Sequence, residues 1–176
     1  MKSGRILKLI LILAMVGTSV HCVAQEAAQP DAANPETAQP DTAKYDFSDS
    51  SHWNLTISAW EHLAEKDFDG VSAYALKCIE LYEEKALLMA RGMTTFLRFG
   101  HEDDCALVND VATAHYIIGE ALMKQGKNDE AIKEFNYTIE NYPYAQCWDP
   151  KGWFWKVAQI SKKNIDKISK AKGAVN

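Results

Sequence analysis

The sequence predicts an all-α protein, and three observations carry that reading. From Ser48 onward apolar residues recur at intervals of three and four, cap and turn residues bound the segments so formed, and no stretch alternates with the period of two that a sheet needs. Trp53, Ile57, Trp60 and Leu63-Ala64 give a first helix its apolar face, behind Ser50 and Ser51 as N-cap residues. Asp69-Gly70 breaks that segment. Val71, Tyr74-Ala75, Cys78-Ile79 and Tyr82 then open a second helix running on towards Met89. A third covers about 109–124, with Val111, His115, Ile118-Gly119, Leu122 and Met123 on its apolar side. Gln125-Gly126-Lys127-Asn128 is a turn, and Asp129 is the expected N-cap of a fourth helix that ends at Tyr142-Pro143. Asp149-Pro150 marks the start of a fifth, from Pro150 to about Ser169, because proline is favoured in the first helical position.

The helix pairs are self-similar. In the second pair Gly119 is followed by Gly126 (+7), Ala131 (+12), Phe135 (+16) and Pro143 (+24). This pattern resembles the tetratricopeptide repeat (TPR). There a small residue lets two helices touch, a glycine turns the chain, an alanine packs between helices, an aromatic fills the core and a proline ends the unit. The first pair, Ala59, Phe68 (+9), Val71 (+12), Ala75 (+16) and Cys78 (+19), matches less closely, with Lys66 where the turn glycine is usual and Glu83 where the proline is usual. The anchors Ala59 and Gly119 lie 60 residues apart against about 34 in a TPR unit. An elongated second helix plus a loop is expected to take up the excess over 84–110. The resemblance covers about residues 52–143. It implies a short TPR-like α-solenoid of two helix pairs, with the fifth helix closing the array.

Two pieces precede this domain. Lys2, Arg5 and Lys8, the apolar run Leu9–Val16 and Cys22-Val23-Ala24 have the order of a secretory signal peptide, residues 1–24. The chain is thus expected to be exported, to the periplasm or beyond, with a lipid anchor on Cys22 as the minority alternative. Residues 25–47 read as a flexible spacer rich in Pro, Ala and Gln: Gln29-Pro30-Asp31, Asn34-Pro35-Glu36 and Gln39-Pro40-Asp41 recur every five residues, and 25–44 contains no large apolar side chain. The helical domain is assigned to 48–170 and a disordered tail to 171–176.

Composition narrows the function classes. The 176 residues are 47% hydrophobic and 24% charged, which excludes disorder along the whole length. With 19 Lys+Arg against 24 Asp+Glu, the net charge of −5 argues against non-specific binding to nucleic acid. No Gly-rich phosphate loop, G-x-S-x-G or Cys-His nucleophile pattern occurs. His101-Glu102-Asp103-Asp104-Cys105 shares its opening with the zinc motif H-E-x-x-H, but Cys105 stands where the second histidine belongs. The sequence therefore gives no enzyme, no metal and no cofactor.

The resemblance implies instead a non-catalytic adaptor or scaffold that binds a peptide or partner protein on its concave face. By register that face carries Trp53, Thr56 and Trp60 from the first helix, and Thr113, Tyr116, Glu120 and Lys124 from the third. The alternative is a carbohydrate- or envelope-binding module using the aromatics of 142–155, Trp148 and Trp155 among them. In that cluster Trp153 is expected mainly in the core, with Trp148 or Trp155 exposed to a partner. The resemblance also puts Cys105 and Cys147 on one side of the stack, ahead of two first-type helices. They are a disulfide pair if oxidised and two free thiols otherwise.

Overall fold

The computed structural model describes residues 42–98, 100–149 and 153–173. The expected leader, most of the spacer and the last three residues lie outside them. Helix α1, His52–Glu65, starts where predicted: Ser51 is extended (φ −60°, ψ 146°) and its hydroxyl accepts from the Asn54 amide. Leu55, Thr56, Ala59 and Leu63 form its buried face. Its end differs from the sequence reading. The chain turns at Lys66, in the left-handed conformation at φ 62°, while the amides of Lys66 and Asp67 bond back to the carbonyls of Leu63 and His62. A lysine thus occupies the position where this helix ending favours glycine, at roughly 1–2 kcal/mol of backbone strain. Gly70, expected as the breaker, lies inside the next helix. A Cβ there would sit 2.3 Å from His62 Nδ1, so its role is close helix contact.

Asp67 caps α2, Phe68–Gly92, by accepting from the Gly70 amide at 3.1 Å. That helix has 25 residues, and irregular chain plus a 3-10 turn at Glu102–Cys105 lead into α3, Ala106–Lys124. Gly126, at φ 77°, makes the next turn. Helix α4, Asn128–Asn141, has Lys127 rather than Asp129 at the N-cap position, with no side-chain cap. Asp129 is one residue inside the helix and binds Lys172 Nζ at 2.6 Å.

The largest departure follows Ala145. In place of a helix from Pro150, an antiparallel hairpin pairs β1, Gln146–Asp149, with β2, Trp153–Lys156, in the register Cys147↔Trp155 and Trp148↔Phe154. Only then does α5 run, Val157–Gly173. Four-residue strands are too short to show alternation. Asp-Pro is a turn signal as well as a helix start, and Trp-Phe-Trp favours strand. The spacer boundary moves too. Tyr45 and Phe47 pack on the domain, with ring centroids 5.6 and 5.1 Å from Tyr74, and Tyr74 Oη donates to the Asp46 carbonyl.

The architecture is all-α and solenoid-like, with the hairpin as a small addition. Each helix packs on the next, and α3 also contacts α1 and α5, the alternate helices. Helix α3 is the centre, buried continuously from Leu107 to Ile117. Its buried polar side chains each meet a partner. His115 Nδ1 lies 2.9 Å from Glu134 on α4 and Nε2 lies 3.0 Å from Glu83 on α2. Among the described residues no helix is long and apolar enough to cross a membrane.

The contact of α3 with α4 is set by Gly119, where a Cβ would lie 2.6 Å from Phe135 Cε1, while at Gly92 a Cβ meets nothing. Gly119→Ala should therefore cost about 1–3 kcal/mol by overpacking, and Gly92→Ala should cost nothing, as read by denaturant melts. Asp110 gives a second expectation. Burial raises its pKa, against the lowering effect of its bond to His52. Its contribution to stability is complete below the unfolded pKa and is lost as pH rises through the higher folded value. Asp110→Asn should thus raise the melting temperature more at pH 8 than at pH 3.

Candidate functional site

The residues expected on the concave face divide in the structure. Thr56 and Thr113 are buried, their hydroxyls donating to the carbonyls of His52 and Asn109 four residues back at 2.8 and 2.7 Å. They key the packing of α3 and present nothing to a ligand. Lys124 is exposed at the end of α3, and Trp53 is 64% exposed on α1. Trp60, Tyr116 and Trp155 come together: their ring centroids lie 6.0 Å (Trp60–Tyr116), 6.2 Å (Trp60–Trp155) and 5.5 Å (Tyr116–Trp155) apart, all mutually inclined. The side chain of Trp148 lies outside the described residues.

With Trp153 and Ile160, these three line a cleft of about 380 Å³. Its walls come from α1, α3 and α5 and from β2, the hairpin strand that precedes α5. Trp153 is 49% exposed, which overturns its expected place in the core. In a helix it would have fallen in line with Val157 and Ile160. In a strand its side chain follows the pleat, and Val157 alone is fully buried.

A polar network backs the aromatic wall. Tyr116 Oη donates to Glu120 Oε1 at 2.6 Å, and Asn164 Nδ2 donates to the same oxygen at 2.7 Å. Lys167 Nζ donates to Asn164 Oδ1 at 3.0 Å. Burial first, and the Glu120 carboxylate second, push the Tyr116 phenol well above its ordinary range, so it stays a donor. Asn164 and Lys167 were not found by sequence reasoning. The signal was there in Ile160, Asn164 and Lys167 at helical spacing, but the cleft they border needs the hairpin to exist. What this arrangement can do chemically is bind: flat apolar faces stand over a fixed hydrogen-bond network.

Neither a family model, nor a curated protein, nor a solved structure matches the chain. Function must be argued from this geometry alone.

None of Cys78, Cys105 and Cys147 lines the cleft. Cys78, Cys105 and Cys147 are all free thiols here, so the Cys105–Cys147 bridge is not formed. Cys147 Sγ instead meets Thr113 Oγ1 at 3.2 Å. The His101–Cys105 segment is a 3-10 turn in which His101 pairs with Asp104, and no group of three metal-ligating side chains gathers among the described residues. Burial pushes the Cys78 and Cys147 thiols up to about 12 and raises Cys105 as well. Since the thiolate is the reactive form, alkylation of native protein at pH 8 should modify Cys105 ahead of Cys78 and Cys147. Peptide mapping should find Cys78 and Cys147 labelled only after denaturation.

Proposed function

We propose that the chain is an exported, non-catalytic adaptor of the tetratricopeptide repeat type, which holds a peptide or partner protein through the aromatic cleft on its α1–α3–α5 side. The cleft is the observation that carries this reading. Three indoles and a phenol in one open hollow are the anchors that protein recognition favours; Trp60 and Tyr116 come from α1 and α3, the helices a repeat stack would turn inward, and Trp153 and Trp155 from β2. The close approach of Gly119 to Phe135, the buried Ala131 and the turn at Gly126 support the repeat assignment. Export rests on the residue order of 1–24, and N-terminal sequencing of the mature protein should begin at Gln25.

Because Trp153 is half-exposed in a two-stranded hairpin, Trp153→Ala should cost about 1 kcal/mol or less while removing much of the cleft wall. Cross-linking in the native compartment should show partner adducts on the parent protein and at least tenfold fewer on Trp153→Ala. Unchanged adducts with a retained melt would overturn the cleft as the binding surface. A second reading, a glycan stacked on the exposed ring of Trp153 beside Trp155, predicts instead that soluble oligosaccharides quench tryptophan fluorescence in the parent and not in the variant.

A further inference from the structure

The hydrogen-bonding groups that border the aromatic cleft are mostly donors. The indole N–H groups of Trp60, Trp153 and Trp155 meet no acceptor among the described residues. The Tyr116 hydroxyl donates to Glu120 Oε1, and that same oxygen also receives the Asn164 amide. A ligand that fits brings flat apolar faces and acceptors, with few donors of its own. Proline in an extended chain has these properties: its ring stacks on an indole, the neighbouring carbonyls accept from the N–H groups, and it has no N–H to satisfy. A sugar brings many hydroxyl donors, and the carboxylate oxygen nearest to them already holds two.

Size points the same way. A round hollow of 380 Å³ is about 9 Å across, narrower than a helix with its side chains at about 10–12 Å. Extended chain therefore enters it more readily than a helix does. A proline-rich segment also loses little freedom on docking, because its free chain already populates the extended polyproline conformation.

Charge selects the residues beside the prolines. Residues 42–156 carry 19 Asp and Glu against 11 Lys and Arg, whereas α5 carries Lys162, Lys163, Lys167, Lys170 and Lys172 against Asp166 alone. Lys163 and Lys167 follow the cleft residue Ile160 by three and seven positions, on its side of the helix. Lys167 is held to Asn164 Oδ1, and so to the network behind Tyr116. Lys163 is exposed and has no partner among the described residues. On α1, Ile57 and Ala64 share the Trp60 face and are uncharged. A ligand with carboxylates is drawn to the α5 edge, and one with basic side chains is repelled from it.

We propose that the element of the partner protein that docks here is an extended segment whose prolines are flanked by Asp or Glu. A proline ring lies against the indoles of Trp153 and Trp155, and the adjoining carboxylates face Lys163 and Lys167. This rests on the cleft being the binding surface, and it names the chemistry that the surface selects.

The test uses the full chain and synthetic peptides of repeated Asp-Pro units, with titration calorimetry as the readout. The Asp-Pro peptide should bind, and Trp153→Ala should abolish binding. Exchanging every Pro for Ser, or every Asp for Lys, should weaken binding by about tenfold or more. Lys163→Glu should weaken the Asp-Pro peptide about tenfold and strengthen the Lys-Pro peptide, with the melting temperature unchanged. Equal affinity for Asp-Pro and Asp-Ser peptides, binding that survives Trp153→Ala, indifference to Lys163→Glu, or no binding at all overturns the proposal. If that failure comes while Trp153-dependent cross-links to another protein persist, the adaptor reading stands with a partner of other composition. If the cross-links are lost as well, both readings fall.

Discussion

Helix α3 leaves no face to water over most of its length, and that burial governs its neighbours. A helix enclosed in this way must find a partner for every polar side chain it carries, because an unpaired buried group costs roughly 1–3 kcal/mol. The partners come from separate elements. His52 on α1 meets Asp110, Glu83 on α2 and Glu134 on α4 flank His115, and the Gln146 amide at the start of β1 donates to Asn109 Oδ1. Asn164 on α5 reaches Glu120. Apolar contact alone would let the surrounding helices slide. These directional bonds fix the height at which each one sits against α3.

The cleft follows from that fixing. Trp60 and Tyr116 face each other because α1 and α3 touch as alternate helices, and the third wall needs a chain segment that climbs past them before α5 begins. The hairpin supplies it. Gln146 ties its first strand to α3, and the Val157 amide returns to the Ala145 carbonyl at 3.1 Å, closing the hairpin at its base. Trp155 is thereby pressed against Trp60 and Tyr116, while Trp153, two residues earlier, is left half open.

Much of this was legible in the sequence, and the parts that were not share a cause. The helices α1, α3 and α4 announced themselves through periodicity, and Gly119 and Phe135 through a spacing that only contact between helices demands. Ser51 behaved as its side chain dictates. Lys66 did not: its left-handed conformation is imposed by packing of α1 on α2, which overrides a modest local preference. Asp129 had the chemistry of a cap, yet Asn128 already begins the helix and Asp129 finds Lys172. The aromatic cluster itself was visible in the sequence, but the division of labour within it was not. Which tryptophan is open depends on whether 153–156 is strand or helix, and a four-residue strand is decided by its partner.

Helix α2 has 25 residues and α1 only 14, lengths of about 37 and 21 Å. The buried residues of α2 bunch between Gly70 and Cys78, whereas beyond Tyr82 only Ala86 and Ala90 are buried and Leu88 is 71% exposed. One continuous helix is therefore two units of cooperativity. The first half can open only when the core opens with it. Past the Glu83 bond to His115, the second half is held by its own backbone ladder, by Ala86 and Ala90 and by the partly buried Leu87 and Met89, fewer contacts than the first half makes, so it sits lower in the hierarchy of local opening free energies. Opening the end of α2 thus disturbs fewer of the contacts that build the α1–α3 seam and its cleft than opening its start does.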